Sequence, residues 1–421
     1  LKRATQRGAR IYLDLSRLLS AGRRRTPSGI ERVELAYAKH FGRADGTRFV
    51  AYFLGRLHVL PARFASAYVE TIERAWRYSG STRRAKATTF MVCMYVLLLA
   101  ISLCALLLRQ RTRSDAAAVY ISLSHENLTA REAITYFKTR TGAKLLFFVH
   151  DLIPVTHPEY VRPGQSRLHR RRMDNVGALA DAVLVNSAAT RDAFLAHLNG
   201  KRVPKIRIVH LGVASNARAK AQQSSGSSSG SPYFLCLATI EPRKNHLLLL
   251  NLWRNLLTES ATVPRLIIVG RRGWENEMVL DMLERCAAIA GTVEERRNVR
   301  DDELASLLRG ARALLLPSFV EGYGLPVAEA LDAGTPVVCS DLPALREIGG
   351  NVPEYLDPLD GPGWRKAVLD YSEPASPRRA AQCQRMLAWQ APLWDSHFEQ
   401  VSRIVEDLMG ASDRDGEQFS R

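Results

Sequence analysis

Nine short apolar runs recur along the chain, each followed by a stretch long enough for a helix. ARIYLDL, AVYISLS, KLLFFVH, AVLVNS and IRIVHLG fall in the first half, and YFLCLAT, RLIIVG, ARALLLPS and PVVCS in the second. A strand covered by helices on both faces reads as a continuous apolar run, because neither face meets water. The alternation therefore predicts an α/β doubly wound sheet, built twice. Between the halves lies ASNARAKAQQSSGSSSGSP, whose Ser and Gly content reads as a flexible linker. The expected organisation is a first domain over residues 1–213, a linker over 214–232, a second domain over 233–394 and a C-terminal segment over 395–421. That last segment includes most of the amphipathic pattern WDSHFEQVSRIVEDLMG.

With 421 residues, 46% apolar and 24% charged, the chain can bury two cores of ordinary size. Its six cysteines show no CxxC spacing, so neither a disulfide framework nor a zinc site is expected and a reducing, cytoplasmic compartment is. The first ten residues, LKRATQRGAR, are basic and polar and run straight into a strand, which is not the pattern of a secretory signal.

Charge is divided unevenly: residues 1–213 carry a net +22 and the remainder −5. A basic domain can serve nucleic acid, but no nucleic-acid-binding motif is present, and no nucleic-acid partner is expected. The basic residues instead flank ATTFMVCMYVLLLAISLCALLL, residues 87–108, with Arg83, Arg84 and Lys86 before it and Arg109, Arg111 and Arg113 after it. As a helix this run is about 33 Å long, enough to span a bilayer. A single crossing would put strands of one sheet on opposite sides of the membrane. The favoured expectation is therefore monotopic contact with an anionic membrane surface, with burial in protein or a dimer interface, or true spanning, as alternatives.

Two segments of the second half carry chemistry. In EGYGLPVAEALDAG, Glu321 and Glu329 stand eight positions apart across a glycine turn that opens a helix. Gly322 and Gly324 allow the backbone to approach an anion, and the following helix offers N–H donors and a favourable dipole. Upstream, LATIEPRKNHLLLL places Arg243 and Lys244 directly after a buried strand. Taken singly, the first could be an ordinary tight turn with a solvated glutamate and the second a polar loop. Together they offer N–H donors and cations at which a nucleotide diphosphate would fit.

The two segments closely resemble the signature of the retaining glycosyltransferases of family 4, whose GT-B fold sets two Rossmann-like doubly wound domains facing each other across a cleft. The resemblance implies that Arg243 and Lys244 bind the donor diphosphate, that Glu321 meets the donor sugar and that Glu329 holds the ribose. It also implies that the C-terminal helix crosses back onto the first domain. Gly322, Tyr323, Gly324 and Leu325 then belong to the donor-binding turn. GRRGWENE brings Gly270 and Arg271 beside the nucleotide, with Trp274 packing. Val299 and Arg300 hold the base, chiefly by backbone. Asp301 and Asp302 read as a helix cap with first-turn acidity, not a metal pair.

In the first domain, Ser28 and Glu31 have capping-box spacing, which puts Gly29 near the cleft. His150 and Asp151 follow the strand FFV, where sheets of this type gather functional groups. A lone histidine there can be purely structural, but HDLIP followed by HPEY resembles the family segment in which the histidine lies beside the transferring sugar. Asp151 is expected to orient its loop or cap the next turn. His125, Asn186, Ser187 and Arg191 also fall at strand-to-helix junctions and are expected to line the acceptor side.

The implied activity is retaining transfer of a hexose from a nucleotide diphosphate sugar to a hydroxyl of a polyprenyl-diphosphate-linked glycan, for a bacterial surface polysaccharide. His150 and Glu321 are the expected catalytic pair, with no metal and no cofactor. HDLIP and EPRKNH look most like mannosyltransferases using GDP-mannose. The expected location is the inner face of the cytoplasmic membrane, peripheral or monotopic. A sugar-nucleotide epimerase on the same fold and a catalytically silent nucleotide-sugar-binding scaffold are the alternatives.

Overall fold

The computed structural model describes residues 9–77, 81–107, 117–213, 232–260 and 262–417. Most of the expected linker, residues 214–231, lies outside them, as do Arg109, Arg111 and Arg113.

Two sheets form. The first has seven strands: β1 (Arg10–Asp14), β2 (Thr47–Phe53), β3 (Arg56–Val59), β4 (Ala118–Ser122), β5 (Lys144–Val149), β6 (Ala182–Val185) and β7 (Lys205–Ile208), in the order β3-β2-β1-β4-β5-β6-β7. The second has six: β8 (Tyr233–Leu237), β9 (Arg265–Val269), β10 (Val293–Arg296), β11 (Leu314–Leu316), β12 (Val337–Ser340) and β13 (Glu354–Leu356), in the order β10-β9-β8-β11-β12-β13. All pairings are parallel except β2 with β3, an antiparallel hairpin at one edge. Strands β4, β6 and β12 are buried at every position, as expected of strands covered on both faces.

Each sheet reverses direction of growth once. In the first the reversal lies between β1 and β4, in the second between β8 and β11. Loops leaving the carboxyl ends of strands on either side of such a reversal run in opposite directions and leave a crevice between them. The loops after β1, β5, β8, β9 and β11 all contribute to a single cleft of about 370 Å³ between the two sheets.

The last helix, Trp394–Glu417, ties the domains together. His397 hydrogen-bonds the Tyr37 hydroxyl (2.8 Å) and the His210 carbonyl (2.8 Å), and Phe398 stacks on His40 with ring centroids 4.0 Å apart.

Residues 87–107 of the long apolar run lie in the helix Ser81–Leu107, and Leu108 falls outside the described residues. Ala87, Met91, Met94 and Leu98 form one buried stripe against the first domain, while Val92, Val96 and Leu99 are exposed on another. The helix is therefore buried in protein along one side and open along the other. Among the described residues, no helix is long and apolar enough to cross a membrane.

Candidate active site between the two sheets

On the second-domain wall, β8 leads through Glu241 into a short turn, Pro242–Lys244, and β11 leads through Ser318 to Glu321. The two loops are stitched by Phe319 N–H donating to the Arg243 carbonyl (2.8 Å). Side chains then converge. Lys244 Nζ donates to Glu321 Oε1 (2.5 Å), Arg243 Nη1 to Glu321 Oε2 (3.1 Å), and Ser318 Oγ to Glu321 Oε1 (2.8 Å). Arg243 Nη2 also meets Glu241 Oε1 at 2.6 Å.

Burial is the leading influence on Arg243, Lys244 and Glu321. It would raise the Glu321 carboxyl, but Lys244 and Arg243, with hydrogen bonds from Lys244 and Ser318, overcome it and hold the group down at about 2. The Lys244 ammonium is lowered by burial and by Arg243, against the pull of Glu321. Glu321 is thus a fixed anion at neutral pH, and Arg243 and Lys244 are cations that an incoming anion would share.

The turn after Glu321 requires its glycines. A Cβ on Gly322 would lie 2.7 Å from the His150 carbonyl oxygen and 2.8 Å from Asp151 Cβ, so the two domains touch at this residue. Gly324 adopts φ +105° at the start of the helix Leu325–Asp332, a conformation that L side chains avoid. Tyr323 is buried and donates its hydroxyl proton to the Leu211 carbonyl (2.7 Å). Glu329 faces Arg32 of the first domain across 3.6 Å, and Arg32 also bridges to Asp301 (2.6 Å). Burial raises the Glu329 carboxyl, and Arg32 partly offsets this.

The first-domain wall is different. His150 is buried, stacks on Phe148 and contacts the Leu123 carbonyl through Nε2 at 2.6 Å. A carbonyl only accepts, so Nε2 carries the proton and Nδ1 is the ring's acceptor. Burial lowers its pKa to about 4, with the Leu123 carbonyl opposing, and the ring is neutral at physiological pH. Asn186 Nδ2 donates to the His150 carbonyl (2.9 Å), and Asp151 accepts from the Ile153 N–H (3.1 Å), opening the next helical turn.

Of the residues singled out from sequence, Gly29, His150, Asp151, Asn186, Arg243, Lys244, Gly270, Arg271, Val299, Glu321, Gly322, Tyr323, Gly324, Leu325 and Glu329 line one cleft. Four do not. His125 stands behind the wall, accepting from the His150 N–H (3.1 Å) through Nε2. Ser187 caps the helix Ala188–Leu198 and donates to the Gly322 carbonyl (2.7 Å), a contact between domains. Arg191, half-buried in the helix Ala188–Leu198, pairs with Asp192 of the same helix, and the exposed Arg300 pairs with Asp302. Asp301 and Asp302 supply first-turn acidity, but Arg300 is the N-cap residue of their helix. Arg32, Glu241, Ser318 and Asn298 were not singled out. Glu241 sits within EPRKNH, next to the cations it steadies.

This cleft between two doubly wound sheets, with paired cations and a glycine turn at one switch point, defines the GT-B class. Residues 217–351 match the family model for glycosyl transferases group 1. O-antigen chain mannosyltransferase B of Escherichia coli is 39% identical over 128 residues, 30% of this chain and 33% of that protein. Serotype-specific mannosyltransferase WbdA of Escherichia coli is 28% identical over 255 residues, 56% of this chain and 31% of that protein. The matches span about a third of the length of these curated relatives. The structure of Anabaena HepE in complex with UDP and glucose shares the fold, with a TM-score of 0.62 at 15% identity over 95% of this chain and 99% of that one.

Proposed function

We propose that the protein is a retaining hexosyltransferase that moves mannose from GDP-mannose to a hydroxyl of a lipid-linked glycan in the synthesis of a bacterial surface polysaccharide. The observation that carries this reading is the buried cluster of Arg243, Lys244 and Glu321, aimed into a cleft whose opposite wall is the neutral His150.

The donor diphosphate rests on Arg243 and Lys244, which stabilise the charge that grows on the leaving group as the glycosyl bond breaks. Two fixed cations supply this stabilisation, so the step calls for no metal. Glu321, held ionised, faces the positive charge that develops on the sugar and is too weak a base to take the acceptor's proton. That proton passes to a donor phosphate oxygen on the same face of the sugar, which preserves the anomeric configuration. His150 Nδ1 accepts a hydrogen bond from a sugar hydroxyl, and Glu329 receives the ribose hydroxyls in place of Arg32. The names of the Escherichia coli relatives support mannose as the hexose. The exposed stripe of Val92, Val96 and Leu99 on a basic domain supports contact with an anionic membrane face.

Incubating the protein with GDP-, UDP-, ADP- and dTDP-sugars and membrane lipid extracts, then reading product anomers by NMR, tests the whole reading. An α-linked mannosyl lipid formed only from GDP-mannose is expected. A β-linked product overturns retention, transfer from another donor overturns the hexose, and donor interconversion without acceptor places the protein among epimerases.

A further inference from the structure

The segment Leu15–Gly29 runs from one concavity to another. Thr26 to Gly29 line the cleft between the sheets, whereas Ser20 and Arg23 line a second groove of about 500 Å³ on the outer side of the first domain. Its other walls are apolar or aromatic: Phe53 from β2, and Val92, Tyr95, Val96 and Leu99 from the helix Ser81–Leu107. Arg23 and Thr26 are three positions apart, so the backbone of Arg23 lies within about 11 Å of the cleft lip.

This connection is held in place. A Cβ on Gly22 would lie 2.9 Å from the Tyr68 hydroxyl and 3.1 Å from Met91 Cβ, so the turn packs directly on the long helix. Tyr68 Oη donates to the Leu18 carbonyl (2.9 Å), and Trp76 Nε1 to the Arg24 carbonyl (3.2 Å). Arg23 is exposed, and no carboxylate among the described residues pairs with it. Val92, Val96 and Leu99, at 46%, 62% and 44% exposure, continue the apolar floor outward along the helix. An apolar trench with an unshared cation at its inner end and a polar cleft just beyond fits a ligand with three parts in that order. They are a hydrocarbon tail, an anionic group and a sugar.

We propose that this groove is the acceptor's lipid site: the polyprenyl chain of a lipid diphosphate lies along Val92, Val96 and Leu99, and Arg23 binds the diphosphate, so that the attached sugar enters the cleft past Thr26–Gly29. The inference rests on the glycosyltransferase reading and adds to it a limit on the acceptor. Only the sugars close to the diphosphate reach His150, which makes a short lipid-linked glycan the substrate class.

The test is binding of a long-chain polyprenyl diphosphate in phosphatidylcholine nanodiscs, with GDP binding measured in parallel. Val96→Lys and Arg23→Ala are each expected to weaken polyprenyl diphosphate binding about tenfold or more, while GDP affinity stays at the wild-type value and reports an intact fold. Phosphatidylglycerol nanodiscs without polyprenyl diphosphate are expected to bind more weakly than those containing it. Equal binding to both overturns the proposal and makes the face a general membrane contact. Polyprenyl diphosphate binding that survives both variants, or is absent while GDP binds, also overturns it. Absence of GDP binding is the separate signature that the underlying glycosyltransferase reading has failed.

Discussion

The loop after β8 and the loop after β5 end on the same cleft, yet the first joins a buried group of paired charges while the second presents a neutral histidine beside one carboxylate, Asp151. Arg243, Lys244, Glu241 and Glu321 form a buried ionic group in which each charge touches an opposite one. His150, across the cleft, is kept neutral by burial and oriented by a single carbonyl. The contrast teaches how labour is divided. The second domain is preorganised for an anion whose charge grows during reaction, and the first offers the neutral ring of His150 for a sugar.

The strongest way to break this comparison is at the carboxylate. Glu321→Gln keeps the shape and removes the charge, so sugar transfer should fall by about 10²–10³-fold while GDP binding is kept, as read by single-turnover rates beside calorimetry. Retained turnover would mean that Glu321 is only a counter-ion for the cations. Next in size is Arg243→Met, which leaves Glu241 without its guanidinium and Glu321 with one cation in place of two. Removing one partner of a buried pair costs about 3–5 kcal/mol, which urea unfolding can measure. Gly322→Ala follows: the new methyl meets the His150 carbonyl and Asp151, with an expected cost of roughly 1–3 kcal/mol and a lower transfer rate as the walls are forced apart.

Acid separates the two walls by pH window. Glu321 is depressed from 4.5 to about 2, so the stability it contributes is present above the ordinary carboxyl range and is lost as pH falls toward 2. His150 is depressed from 6.5 to about 4. The unfolded chain therefore takes up a proton there before the folded one does, and that contribution is lost as pH falls from about 6.5 to 4. Thermal unfolding of His150→Gln should lose the upper part of the acid sensitivity and keep the lower. The smallest effect belongs to Arg32→Ala, where half-exposed pairs with Asp301 and Glu329 contribute less than about 1 kcal/mol.

Legibility in the sequence was also unequal. The strands buried on both faces announced themselves as apolar runs, and fifteen of the residues singled out from sequence line the cleft. The hairpin β2–β3 and the edge strands β10 (VEER) and β13 (EYL) escaped notice, since short strands with exposed or charged positions lack that signature. A position just past a strand sets a residue's height in the sheet and not its direction. Hence Arg191 and Arg300 were expected in the cleft and instead pair with Asp192 and Asp302 away from it, and His125 lies behind His150. Arg32 reaches a partner 269 positions away, a pairing with no local pattern to reveal it.

The account stands or falls on whether the second-domain cations form a diphosphate site. Calorimetry of GDP-, UDP-, ADP- and dTDP-sugars without added metal, on the wild type and on the double variant Arg243→Ala, Lys244→Ala, tests this most directly. The expected result is micromolar binding of GDP-mannose that the double variant abolishes. Binding that survives the loss of both cations, or no binding of any nucleotide sugar by the wild type, would contradict it.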